Sequence, residues 1–341
     1  MKKSIVALGC ALTCLGAAHA QSSVQVTGLV DAYVGSMRLA GADKSTSVVG
    51  SGGMTTSWFG FTGTEDLGGG LKANFKLTSF FQADKGTPTR EIPGDTFFSR
   101  DANVGLSGGF GAVQLGRGMA PNFLPTILLN PFGDSFTVSP LVLHANVPNV
   151  GAGWFNQTTP VDTGWNNQIV YSTPDIGGLK ANLHYQFGEQ AGKTGKNNVG
   201  LNAMYFNGPL AVMGFYESAQ ISYSTGGVMD KKTDWMLGGS YDFRVVKAYA
   251  TYGQAKTDNN SNMDRKTFSL GADVPVSSAG VIKAAIARTK MDNLDLRRTT
   301  TSIGYDHNLS KRTDLYAVYM RDQITALNSG NSFVLGIRHR F

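Results

Sequence analysis

An all-β fold, a transmembrane antiparallel β-barrel of about 16 strands with its third connector folded into the lumen, is what this sequence predicts. Three observations carry that expectation. From Val24 onward, short segments alternate apolar and polar residues and show almost no helical period. Most of these segments reach about ten residues, the length a tilted membrane strand needs. The connectors between them alternate between tight turns and long polar loops, the arrangement of outer-membrane barrels.

Composition agrees. A soluble chain of 341 residues would be expected to form about two domains. Here 43 glycines, 16% charged residues and 10% aromatic residues fit barrel strands better, and no apolar run after residue 20 is long enough for a spanning helix.

The opening segment carries Lys2 and Lys3, an apolar stretch from Ile5 to Ala18, and the small-x-small site Ala18-His19-Ala20. It reads as an export signal, residues 1–20, cleaved after Ala20, because the apolar stretch is too short to span a bilayer. Cleavage removes both cysteines, Cys10 and Cys14, and lowers the formal charge from +6 to +4 as the two lysines leave. The mature barrel, residues 21–341, is exported yet has no disulfide to use.

Strands are expected near 24–39, 54–65, 70–84, 96–107, 110–118, 165–173, 178–189, 197–207, 209–222, 231–243, 245–257, 263–274, 280–291, 296–307, 313–325 and 331–341. The alternation is clearest in two of them. Leu71, Ala73, Phe75 and Leu77 oppose Lys72, Asn74, Lys76 and Thr78; Leu179, Ala181, Leu183, Tyr185 and Phe187 oppose Lys180, Asn182, His184 and Gln186. Each set occupies one face of its strand. A soluble sandwich or lipocalin-like barrel would show the same alternation, but strand length favours a membrane barrel whose apolar parity meets lipid and whose polar parity surrounds water. Tight turns at 66–70, 108–111, 207–208, 242–244 and 307–310 alternate with long connectors at 40–53, 85–95, 190–196, 223–230 and 258–262, which places both termini on the short-turn side.

One connector differs. Residues 118–164 are proline-rich and almost uncharged, holding Asp134, Asp162 and His144. Connectors of this length are functional or disordered, and Phe123, Leu128, Phe132, Phe136, Leu141, Trp154 and Phe155 make this one too apolar for disorder. It is expected to fold against the interior wall. The last strand alternates Phe333, Leu335, Ile337, His339 and Phe341 with Ser332, Val334, Gly336, Arg338 and Arg340, ending on a ring at the membrane interface.

Several stretches together resemble the trimeric general porins of beta-proteobacteria, the family that includes the neisserial porins. They are Gly28-Leu29-Val30-Asp31-Ala32, Gly63 through Lys72, Val104 through Gly108 with Leu115-Gly116-Arg117, Tyr171 through Pro174 with Gly178-Leu179, His307 through Thr313, and Gly336 through Phe341. The resemblance implies a homotrimer in the cell outer membrane, among outer-membrane lipids and lipopolysaccharide, passing small hydrophilic solutes and ions by passive diffusion. It further implies a constriction loop bearing Pro131, Phe132, Gly133 and Asp134, a terminal Phe341 read by the barrel-assembly machinery, and a loop 84–95 latching a neighbouring subunit. Of three wall positions that carry arginine in anion-selective members, which fall here at Trp58, Arg100 and Gly164, only Arg100 is kept; a further basic position falls at Thr62, and Arg117 matches.

Strict alternation puts Arg100 and Arg117 on the lipid parity, where a mid-bilayer arginine costs roughly 2 to 4 kcal/mol. A bulge between Arg100 and Val104 would return Arg100 to the lumen, and Arg117 escapes if the chain leaves the wall there; otherwise both sit at a rim beside headgroups. Parity also sends Lys72, Lys76, Lys180, Lys247, Lys283 and Arg298 inward, opposed by few acids, so a weak anion preference is expected from the summed field. An apolar, aromatic eyelet is expected from Trp58 and the third loop. The rival expectation is a substrate-specific channel for a small, partly apolar or aromatic anion.

No catalytic chemistry is expected. Gly105-Leu106-Ser107-Gly108-Gly109 fits G-x-S-x-G, but a strand comes next where a nucleophile elbow needs a helix. Gly63 to Lys72 lacks phosphate-loop order, the histidines are too scattered for zinc, and the basic residues too dispersed for nucleic acid. No cofactor or metal is expected.

Overall fold

The computed structural model describes residues 23–90, 95–145, 163–189, 191–192, 197–222, 229–258 and 264–341. The expected export signal lies outside them, as does 146–162 of the long connector with Trp154 and Phe155. The strands are β1 (Ser23–Met37), β2 (Thr46–Ser51), β3 (Trp58–Gly68), β4 (Leu71–Phe80), β5 (Asp101–Gly108), β6 (Gly111–Met119), β7 (Gly164–Ser172), β8 (Leu179–Gln186) and β9 (Asn198–Asn207). They continue as β10 (Leu210–Ser222), β11 (Met229–Asp242), β12 (Lys247–Thr257), β13 (Arg265–Pro275), β14 (Gly280–Met291), β15 (Leu296–Asn308), β16 (Thr313–Ile324) and β17 (Gly330–Arg340). Two short helices, α1 (Phe123–Leu128) and α2 (Pro140–Ala145), belong to the long connector.

Every pairing is antiparallel, and β1 closes the ring on β17, with Leu29 opposite Arg340 and Ser36 opposite Phe333. The segments β2 and β3 both pair with β1, at Ala32–Met37 and Ser23–Leu29 respectively, so together they are one wall strand interrupted at 52–57. The closed barrel therefore has 16 strands. This corrects two expectations. Residues 54–57 are not strand, and Thr46–Ser51, read as loop, is strand, because β1 supplies a partner that no local pattern announces.

Alternation sorts the faces as expected at the seam. Phe333 and Leu335 are each 51% exposed, whereas Ser332 and Val334 between them are at 2% and 0%. Outside, apolar and aromatic residues form the belt that lipid would wet. Inside, a polar lumen was expected all round, and the structure differs. The inward residues of β9–β11 and β16–β17 include Met204, Met213, Phe215, Met236, Val318, Met320 and Val334, all buried. They are dry because the long connector covers them: Leu129 and Leu141 pack on Met204, Met213, Phe215 and Met236, while Phe132 and Val138 pack on Tyr316, Val318 and Val334.

Candidate functional site

Asp31 organises the interrupted strand. Its carboxylate accepts the backbone N–H groups of Gly53 (3.0 Å), Met54 (2.9 Å) and Thr55 (2.9 Å), and the Tyr316 hydroxyl at 2.5 Å. These donors satisfy a fully buried acid. Residues 52–57, pinned in this way, offer carbonyls to the long connector: Ser135 Oγ donates to Gly53 O at 2.7 Å and Thr137 Oγ1 to Gly52 O at 2.9 Å.

Just before the connector, β6 carries a bulge between Gly116 and Gly118, where Gly116 takes φ +122° that a side chain would strain. The bulge resolves the parity conflict at Arg117. The chain does not leave the wall there, since Met119 still pairs with Gly164. Arg117 is buried, its guanidinium donating to Ser99 O and to Asn166 Oδ1 at 2.7 Å. Arg117 thus braces the connector between β4 and β5, where an open pore-wall position was expected.

Beyond α1, Asn130 holds a tight turn by donating to Thr126 O and Gly133 O and accepting from Phe132 N and Ser139 Oγ. Wall residues anchor the rest of the connector through its carbonyls: Lys283 Nζ donates to Pro131 O (3.1 Å), Ser302 Oγ to Val138 O (2.7 Å) and Arg298 Nη1 to Leu143 O (3.0 Å). His144 of α2 bridges Thr289 and Thr300 at 2.8 Å each. The wall makes room with glycine. A Cβ at Gly200 would lie 2.4 Å from Pro121 and one at Gly271 2.5 Å from Pro131.

With the connector held against that side, an open cleft of about 260 Å³ remains between Met119, Ala120 and Leu124 of the connector and the wall of β4–β9. Its lining is mostly carboxamide and hydroxyl: Asn103, Gln114, Gln168, Ser172, Asn182 and Asn202, with His184. The charged residues in it are Lys76, Arg100 and Asp101. The Arg100 guanidinium lies 4.0 Å from the Trp58 ring centre, a cation–π contact, and 3.0 Å from Asp101. Lys76 is exposed and forms no ion pair among the described residues. Asp134 on the connector feels Arg100 and Arg338, yet burial outweighs both and raises its pKa above the usual carboxylate value.

The remaining expected residues fall elsewhere. Arg100 needs no bulge, because β5 begins at Asp101 and leaves the arginine before the strand free to turn over Trp58. Lys72 is exposed near the turn joining β3 to β4, and Lys180 pairs at 3.6 Å with Asp175, both half exposed at the short-turn rim. Arg298 was expected on a wet wall; it is fully buried beneath α2 and paired with Asp322 at 3.0 Å. Lys283 is neutralised by Asp273 at 3.3 Å. Pro131 and Phe132 are buried against the wall and Gly133 is half buried. Of the aromatic residues expected at the eyelet, Phe123 and Phe132 are buried, Phe136 is half buried beside Phe123 and Trp58 lies half buried under Arg100, while amides make up most of the cleft lining. Sequence reasoning missed Asp31, Tyr316, Arg338 and the amide wall; inward parity marks all of them, but nothing local ranks them above their neighbours.

A family model described as Gram-negative porin matches residues 7–326. Outer membrane porin protein 32 of Delftia acidovorans is 36% identical over 324 residues, covering 93% of this chain and 88% of the relative. An outer membrane porin protein of Bordetella pertussis is 29% identical across the whole of both chains. Among solved structures, an anion-selective porin from Comamonas acidovorans superposes with a TM-score of 0.79 at 29% identity, covering 94% of this chain and 100% of that one. A loop-deletion variant of OmpT from Vibrio cholerae superposes with a TM-score of 0.72 at 17% identity, covering 94% and 99%, which speaks to the fold alone.

Proposed function

The chain belongs to the Gram-negative porin family, and from that premise we propose that the cleft between the connector and β4–β9 is the narrow part of a weakly anion-preferring channel. The protein is an outer-membrane porin for small solutes. The observation that carries the anion preference is charge balance in the cleft. Arg100 is matched by Asp101, and Lys76 is matched by nothing described. A low-dielectric wall focuses the one surplus positive charge on a passing ion. The anion selectivity named for the Comamonas acidovorans porin supports the same sign.

In this reading Trp58, Lys76 and Arg100 shape the wall, Lys72 and Lys180 guard the short-turn mouth, and Pro131 through Asp134 seat the constriction loop of 118–164. Arg117 and Arg298 act by holding loops. Residues 1–20 serve as the export signal, Phe341 as the barrel-assembly signal, and the working unit is a homotrimer latched through 84–95. Phe341 exchanges backbone hydrogen bonds with Gly28 at 3.0 and 3.1 Å, which supports a role for the last residue in closing the ring. The family is one of channels, so no enzymatic activity is assigned. The amide lining of the cleft favours a small hydrophilic ion over an apolar or aromatic one.

Reversal potentials in planar bilayers under a salt gradient test the assignment. The native protein is expected to favour the anion weakly, and Lys76→Glu to shift the potential toward cation preference. Cation preference in the native protein, or no shift with Lys76→Glu, would sink it.

A further inference from the structure

Outside the cleft, where the connector first meets the wall, an amide, an acid and an amine are buried together. Asn122, the residue before α1, is 1% exposed, and Glu217 of β10 and Lys232 of β11 are each 0% exposed. Glu217 Oε1 stands next to both of the others: Asn122 Nδ2 donates to it at 3.0 Å, and Lys232 Nζ lies 3.8 Å away. Lys232 Nζ also donates to Asp234 Oδ2 at 2.9 Å. Register sets this grouping, with Glu217 opposite Asp234 and Ala219 opposite Lys232 on adjacent strands. The chain around Asn122 is fixed, since Asn202 Nδ2 donates to Pro121 O at 2.9 Å and Thr126 Oγ1 to Asn122 O at 2.8 Å. Ala120, Trp165 and Ala219 pack as a buried apolar cluster close by in the chain.

Lysine and glutamate are seldom fully buried, and a buried ion pair by itself is weak support for a fold. What sets this group apart is its third member, a carboxamide whose nitrogen rests on the same carboxylate oxygen as the amine. The Asn122 side chain does not cap α1, and neither its Oδ1 nor Glu217 Oε2 has a hydrogen-bond partner among the described residues. A lysine taken out of water becomes a nucleophile once it gives up its proton. Holding it beside an electrophile in one orientation removes much of the barrier to reaction. An acid within reach of both the attacking amine and the departing nitrogen is placed to carry protons between them.

We propose that Lys232 and Asn122 join in an intramolecular isopeptide bond that ties the start of the connector to β11, with Glu217 as the proton carrier. Lys232 passes a proton to Glu217, and its free amine attacks Asn122 Cγ. Glu217 then gives that proton to Nδ2 and takes another from the lysine nitrogen. The Cγ–Nδ2 bond breaks, ammonia leaves and an Nζ–Cγ amide remains. Nothing is oxidised or reduced, and no co-reactant is consumed. Asp234 positions Nζ beside Glu217. The bond is independent of the pore's selectivity; its consequence is a constriction loop whose first turn cannot leave the wall.

Peptide mapping by mass spectrometry of the protein purified from outer membranes tests it. Trypsin is expected not to cut after Lys232, and the native digest to hold a branched peptide that contains Asn122 and Lys232 and is lighter than its two parts by one ammonia. The branched peptide is the readout in place of whole-chain mass, because Gln21, the first residue after the expected cleavage site, loses the same ammonia when it cyclises. Lys232→Met and Glu217→Gln are each expected to yield linear peptides only. Linear peptides from the native protein, the outcome of a buried ion pair and nothing more, overturn the proposal, as does a link from Lys232 to any residue other than Asn122. A bond formed in full by Glu217→Gln overturns the part given to Glu217. Should a variant not assemble, the native digest decides by itself.

Discussion

His144 shows how one side chain can set the position of a loop. Thr300 Oγ1 donates to Asp322 Oδ1 at 2.6 Å, so its oxygen is left to accept from His144 Nε2–H. The neutral ring then has Nδ1 free to accept the Thr289 hydroxyl, which in turn accepts from Thr267. Burial, with Arg298 and Arg265 nearby, drives the histidine's pKa well below its usual value. The docked loop thus binds no proton where a freed histidine would. The contribution of His144 to docking is complete above about pH 6.5 and falls by up to about 1.4 kcal/mol for each pH unit below it, until the depressed pKa is reached. Acidification from pH 7 to 5 is expected to increase current fluctuations in single-channel records, and His144→Gln to flatten that response. An unchanged pH response in the glutamine variant would remove His144 from the account. A lone histidine in an uncharged segment gives no sign of this in sequence, because its partners lie 145 and 156 residues away.

The connector and the wall strands are matched to each other. Proline and aromatic content marks 118–164 as a segment that must fold against something, and that much is legible without coordinates. Which surface receives it is written in residues that look like ordinary strand glycines. Gly200 and Gly271 stand where Pro121 and Pro131 approach, and any larger side chain would collide with the connector. Gly271→Val is expected to leave the barrel assembled, since the belt outside is unchanged, but to push Pro131 off the wall. The measurable result is a changed conductance together with faster proteolytic cleavage within 118–164. Native conductance and native protease resistance would show that the wall yields instead. Strand β2 makes the same point: six residues, Thr46–Ser51, carry too little pattern to announce themselves and exist because β1 offers them an edge.

At the scale of the molecule, ion preference is a small remainder after larger charges cancel. Arg298 with Asp322, Lys283 with Asp273, and Arg338 with Asp314 at 3.0 Å are matched inside the barrel, and their work is to hold strands and connector. Lys76 is left facing water. A field from so few exposed charges is screened within about 10 Å at 0.1 M salt and about 3 Å at 1 M. Anion preference is therefore expected to fade as total ionic strength rises across that range at a constant gradient ratio. A preference that survives at 1 M would point to a close binding site for the ion and away from a diffuse field.

Strand number, the lipid-facing belt, the sidedness of turns and termini, and the presence of a long inserted connector were all determined by the sequence alone. Each depends on alternation at a period of two or on local turn chemistry, and both can be read from a residue and its near neighbours. Which inward residues stay wet, which charges remain unmatched, and whether a loop's aromatic rings face the opening or the wall were decided only by the tertiary structure. Those outcomes depend on partners more than a hundred residues apart, such as Arg298 with Leu143 and Ser302 with Val138, and a periodic pattern carries no information about such pairings.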